Sequence, residues 1–79
     1  MELFYVVIEH PLRRFESKPQ ENKDFGAKTS ANVVVDLIDS VLSGEAATLH
    51  ITDKHNEIQI MTKRILEESF IKMVVYEDN

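Results

Sequence analysis

The chain predicts a single α+β domain in which one amphipathic helix packs on a four-stranded, mainly antiparallel sheet in the order β-α-β-β-β. Three observations carry that expectation. Residues 29–44 hold apolar side chains at helical spacing. Residues 2–9 and 70–76 are runs rich in aromatic and β-branched residues, which fit a pleated strand. Residues 46–53 alternate apolar and polar side chains, the pattern of a strand with one covered face.

The helix is the clearest segment. At about 100° per residue, Ala31, Val33, Val34, Val35, Leu37, Ile38, Val41 and Leu42 fall on one arc, and Asn32, Asp36, Asp39, Ser40 and Ser43 on the other. Thr29 or Ser30 supplies an N-cap oxygen, and Gly44 supplies a left-handed C-terminal stop. The apolar arc covers roughly 200°, wider than the ~100° stripe that one sheet face needs. Val34, Leu37, Ile38 and Val41 are expected to point inward. Val33 on one shoulder, and Val35 and Leu42 on the other, then require a second cover. Leu12, Phe15 and Phe25 of the preceding segment are the internal candidates for it, and a second chain is the external one.

Residues 2–9 form the first strand, with Phe4, Val6 and Ile8 on one face and Leu3, Tyr5 and Val7 on the other. Such a continuous apolar run suits a central strand. Residues 10–28 have no period and contain Pro11, Pro19 and Gly26, so they read as a loop. Nineteen residues exceed the ~12–15 usual for a structureless connection, which marks the loop as functional or disordered, or as containing a short edge strand over 12–16. In the second strand, 46–53, Ala47, Leu49 and Ile51 alternate with Thr48, His50 and Thr52, the pattern of a half-buried strand. Asp53-Lys54-His55-Asn56 is a turn, and Glu57 to Met61 is the third strand with Ile58 and Ile60 inward. Residues 62–69 suit a helix by composition but are short for a crossover. A short second helix there would give β-α-β-β-α-β, the ferredoxin-like series, as the alternative.

Length and composition restrict the function. Seventy-nine residues make one small domain, 1–79. Without cysteine there is no disulfide and no thiolate metal site. No apolar stretch approaches the ~20 residues of a membrane span, and no basic leader precedes the first strand, so the expected setting is cytoplasmic. The net charge is −5. Residues 1–28 balance five acids with five bases, whereas 29–79 hold nine acids and four bases. That balance opposes nucleic-acid binding, which depends on neutralising phosphate, and suits a basic protein partner for the acidic half.

Candidate chemistry is sparse. Leu49-His50-Ile51-Thr52 resembles one half of the paired signature of the two-histidine phosphoesterases. There, His and Thr on one strand face supply a general acid or base and a phosphate-holding hydroxyl. The chain contains one such motif, since His10 and His55 have other surroundings. Leu3-Phe4-Tyr5-Val6 resembles a strand motif of RNA-recognition domains, without the companion aromatic strand. The three histidines have no compact metal spacing. His10, Arg13, Arg14 and Lys18 form a basic cluster, suited to an anionic group or an acidic patch on a partner.

These features predict a non-enzymatic protein-interaction module with no cofactor and no metal. It would be a small acidic regulator or inhibitor of a larger partner, of the kind phages and mobile elements encode. Its expected contact residues are His10, Arg13, Arg14, Lys18, Val35 and Leu42. The alternatives are a minimal phosphoesterase using His50 and Thr52, and a homodimeric structural module.

Overall fold

A computed structural model describes all 79 residues. The elements are β1 (Glu2–His10), β2 (Arg13–Glu16), β3 (Gln20–Glu21), α1 (Ser30–Leu42), β4 (Thr48–Thr52), β5 (Ile58–Thr62), α2 (Lys63–Glu67) and β6 (Phe70–Glu77). The α+β class therefore holds, with one main helix on mainly antiparallel sheet. The short second helix of the alternative also forms, so the β-α-β-β-α-β series is present with two added strands.

β1 is the centre of the main sheet. β6 pairs antiparallel along one edge from Glu2↔Glu77 to Glu9↔Phe70. β2 and β3 share the other edge, β2 opposite Val7 to His10 and β3 opposite Leu3 and Phe4. The short edge strand expected as an alternative over 12–16 thus forms as β2, and together with β3 it makes a broken strand folded back on β1. The break falls at Ser17, Lys18 and Pro19, where proline could not donate to a ladder. Ser17 repairs it. Its N–H donates to Val6 O at 2.9 Å, and its Oγ accepts from Val6 N–H at 2.8 Å. Lys18 N–H then turns away to Thr52 O at 3.0 Å.

β4 and β5 form a separate antiparallel hairpin, with Leu49 opposite Met61 and His50 opposite Ile60. A bridge between Ser17 and Asp53 ties it to the main sheet. The core lies between the two sheets and the helices. Val6, Ile8 and Phe15 come from the main sheet, Ile38 and Val41 from α1, Leu49 and Met61 from the hairpin, and Leu66 from α2.

The capping of α1 explains where it begins. Thr29 Oγ1 accepts from Asn32 N–H at 3.3 Å, and Asn32 Oδ1 accepts in return from Thr29 N–H at 3.3 Å. That reciprocal arrangement satisfies donors the first turn would otherwise leave unpaired. Asn22 Oδ1 accepts from Ala31 N–H at 2.9 Å, and Lys23 O accepts from Ser30 N–H at 2.9 Å. The segment before the helix is thereby fastened to it. Gly44, with φ of 86°, ends the helix in the left-handed region.

Two sequence expectations about side-chain direction are corrected. Ile58 and Ile60 do not point inward: they are 68% and 60% exposed, and Gln59 and Met61 take the inner face. The cause is Asp53, a 7% exposed carboxylate. It accepts from His55 N–H at 2.8 Å, Glu57 N–H at 3.0 Å and Gln59 Nε2 at 2.9 Å. These bonds set the turn, with Asn56 at φ 64°, and the register that follows overrides the apolar alternation. Leu37 is likewise not an inner residue, being 51% exposed, whereas Ala31, Ile38 and Val41 are buried. The buried line runs through 31, 34, 38 and 41, one flank away from Leu37.

The same carboxylate network predicts acid sensitivity. Hydrogen bonds, first from the Gln59 amide and then from Glu57 N–H, hold the Asp53 carboxyl below its ordinary range, against the opposing effect of burial. Glu16 is lowered chiefly by its hydrogen bond from Lys54. A carboxyl lowered in the folded state adds stability above its unfolded pKa and loses that stability as pH falls through the folded one. Denaturation midpoints should therefore hold steady down to about pH 4 and drop below it. Asp53→Asn should flatten that acid slope; an unchanged slope would remove Asp53 from the account.

Candidate functional site

Strand alternation scatters the basic cluster. Arg13 and Arg14 are neighbours on β2, so their side chains leave opposite faces of the sheet. Arg14 lies opposite Glu9 and reaches Glu9 and Glu16, each at 3.5 Å. Lys18 Nζ donates to Asn56 Oδ1 at 2.8 Å, at the tip of the β4–β5 hairpin. Neither joins Arg13. His10 and Arg13, paired in register at the end of β1 and β2, do line one cavity together.

That cavity is an open groove of about 230 Å³. Ile8, Phe15, Met61 and Ile65 supply apolar walls, with Leu12 and Ile60 beside them. Leu12 is 90% exposed and Ile60 60% exposed. His10, Arg13 and Gln59 are the polar members of the lining. The groove joins the β1–β2 turn, β5 and α2, so three separate parts of the chain build it.

His10 acts in this groove as a strut. Its Nδ1 accepts from Leu12 N–H at 3.2 Å, and its Nε2 meets Glu68 Oε1 at 3.1 Å. An accepting Nδ1 leaves Nε2 as the N–H donor, so this pattern assigns one neutral tautomer. The ring fixes the β1–β2 turn against the end of α2. Arg13 differs from the other arginines: it is exposed and belongs to none of the ion pairs. The groove thus offers apolar walls and one unmatched guanidinium, a donor fork suited to a carboxylate.

Val35 and Leu42 lie elsewhere. With Val6, Ile38, Ile71 and Met73 they line a second cavity of about 240 Å³ between α1 and β6. The proposed internal cover for the helix shoulders does not form. Leu12 is 90% and Phe25 64% exposed, Phe15 is spent in the core, and Val33 and Val35 remain 40% and 37% exposed.

His50 and Thr52 share the outer face of β4, as their spacing required. His50 Nε2 is engaged by Thr48 Oγ1 at 3.1 Å, and neither His50 nor Thr52 lines any of the three cavities described. No three His, Asp or Glu side chains converge as metal ligands would. No helix is long and apolar enough to cross a membrane.

The groove was hidden in the sequence by two readings. Residues 10–28 read mainly as loop, with an edge strand over 12–16 only as an alternative, so the opposite directions of Arg13 and Arg14 on a strand were not applied to the basic cluster. Ile58 and Ile60 read as core, which concealed the exposed side of β5. The available signal was Leu12-Arg13-Arg14-Phe15-Glu16 itself, where placing Phe15 inward on a strand separates the two arginines. Compared with protein-family models, curated proteins and solved structures, the chain matches none of them.

Proposed function

We propose that the protein is a non-enzymatic interaction module, a small regulator or inhibitor that docks on a larger protein through the groove at the β1–β2 turn. The observation that carries this reading is Arg13, an exposed cation without an acidic partner beside apolar walls. Exposed apolar surface with a polar rim is the usual composition of a docking site. The partner element that fits is an apolar side chain flanked by a carboxylate. The apolar side chain fills the space among Leu12, Phe15, Ile60 and Ile65, and the carboxylate meets the Arg13 fork. Apart from the groove, Asp36, Asp39 and Glu45 line a polar hollow in which Lys28 already pairs Asp36, so Asp39 and Glu45 remain for a basic contact of the same partner.

Arg13→Glu tests this reading. The side chain is exposed and unpaired, so folding should change by no more than about 0.5 kcal/mol. Binding to the partner should weaken by at least about tenfold, equivalent to ~1.4 kcal/mol, read by titration against the partner captured from native lysate. Unchanged affinity would remove the groove from the proposal. The competing phosphoesterase reading predicts hydrolysis of cyclic or linear phosphodiesters by the wild type and its loss in His50→Ala. That pattern would replace the interaction reading.

A further inference from the structure

We propose that a second copy of the chain adds its own β6 to the open edge of β6, forming a two-fold antiparallel dimer centred on Met73. β6 pairs on one side only, with β1. At its end Asp78 exchanges backbone hydrogen bonds with Met1, Asp78 N–H to Met1 O at 2.8 Å and the Met1 amine to Asp78 O at 3.2 Å. By antiparallel alternation, Tyr76, Val74 and Lys72 also turn their backbone groups to β1. Ile71, Met73, Val75 and Glu77 turn theirs to the open side, presenting a row of donors and acceptors that a strand would satisfy.

The edge is apolar as well as unpaired. Phe70 is 66% and Val75 48% exposed, and Ile71, Met73, Val74 and Tyr76 are half-buried. On one face, Ile71 and Met73 border the 240 Å³ cavity whose other wall includes Val35 and Leu42 of α1. A strand added to β6 lays its same-face side chains beside that cavity, beneath the exposed Val35 of α1.

The sequence of β6 is what selects a second copy as the occupant and sets its register. Two-fold antiparallel pairing keeps like faces together, so each allowed register centres on a residue opposite its own copy. Centring on Lys72 sets two ammonium groups against each other. Centring on Val74 sets Glu77 against Ile71 on the face of the apolar cavity. Centring on Met73 leaves every pair on that face with both members inside β6 apolar, Ile71 with Val75 twice and Met73 with Met73, and carries Glu77 past the strand end to Ser69. On the opposite face it pairs Phe70 with Tyr76 and Lys72 with Val74, each twice. Aromatic and β-branched cross-strand pairs are the ones that stabilise a sheet. The strand is self-complementary about one residue, and the joined sheet carries both helices on one side.

Sedimentation of the full chain across the micromolar range should report twice the 9.1 kDa of the monomer. Val75→Pro removes an N–H that bonds nothing within the monomer, so it should leave the fold intact by circular dichroism and abolish the dimer. Val75→Lys, which places a charge against Ile71 of the other copy, should do the same without altering backbone freedom. The register has its own readout, because the chain contains no cysteine. Met73→Cys places two thiols at a Cα separation of about 5.5 Å, inside the ~4.4–6.8 Å that a disulfide spans, so mild oxidation should link it into a dimer. Val75→Cys, roughly 13 Å from its copy by strand rise, should stay unlinked. A wild type that sediments as a monomer throughout, a dimer that persists in both Val75 variants, or equal linking of the two cysteine variants would overturn the proposal.

Discussion

Ile38→Ala is expected to destabilise the fold by about 2–5 kcal/mol, the range for truncating a buried aliphatic side chain. Ile38 is 6% exposed and sits in the core among Val6, Phe15, Leu49 and Leu66. For 79 residues, total stability of ~0.05–0.15 kcal/mol per residue comes to about 4–12 kcal/mol. The substitution therefore removes a large share of it and can unfold the domain. Leu37→Ala, one position away, should cost less than about 1 kcal/mol, because half of Leu37 is already in water. Urea denaturation followed by circular dichroism separates the two. Equal losses would mean that α1 is rotated about its axis from the orientation described.

Ser17→Ala is expected to cost about 1–3 kcal/mol, the penalty for leaving a buried backbone donor without an acceptor. Ser17 is 3% exposed and Val6 fully buried, so water cannot replace the lost Oγ. The position also holds the joint between the main sheet and the β4–β5 hairpin, through the Ser17–Asp53 bridge. Amide exchange should report the same event locally, with Val6 N–H losing protection before the Ile8 amide does. A wild-type denaturation midpoint together with unchanged exchange at Val6 would refute this role.

The parts of the fold that were legible in the sequence are those set by local chemistry. Thr29, Gly44 and the apolar line between them defined α1 within two residues at each end. The aromatic and β-branched runs defined β1 and β6. Asp53 and Asn56 defined the hairpin turn. β2 and β3 were not legible as a pair, because a long-range backbone ladder and one serine hydroxyl hold them, and neither has a periodic signature. The facing of β5 was misread because a buried carboxylate chose the register against the alternation of Ile58 and Ile60. Residues 62–69 favour helix by composition yet are short for a crossover, and it is the Thr62 cap, with Oγ1 accepting from Ile65 N–H, that closes the short α2.

The candidate contacts divided along the same line. Four basic residues close in sequence suggested one patch, yet alternation on β2 sends Arg13 and Arg14 to opposite faces, and Lys18 is drawn to the hairpin tip. His10 serves as a strut where a charge was expected. The over-wide apolar arc of α1 translated in part: Val35 stays exposed and borders the cavity beside β6, whereas Leu42 is half-buried against the core.

Comparative capture from native lysate tests the docking groove most directly. Immobilised wild type, Arg13→Glu, Leu12→Glu and His50→Ala, each first shown to be folded, are exposed to the same lysate. One protein should be retained by the wild type and by His50→Ala, and lost from both groove variants. Retention of the same protein by Arg13→Glu and Leu12→Glu, or no protein held by the wild type above background, would contradict it.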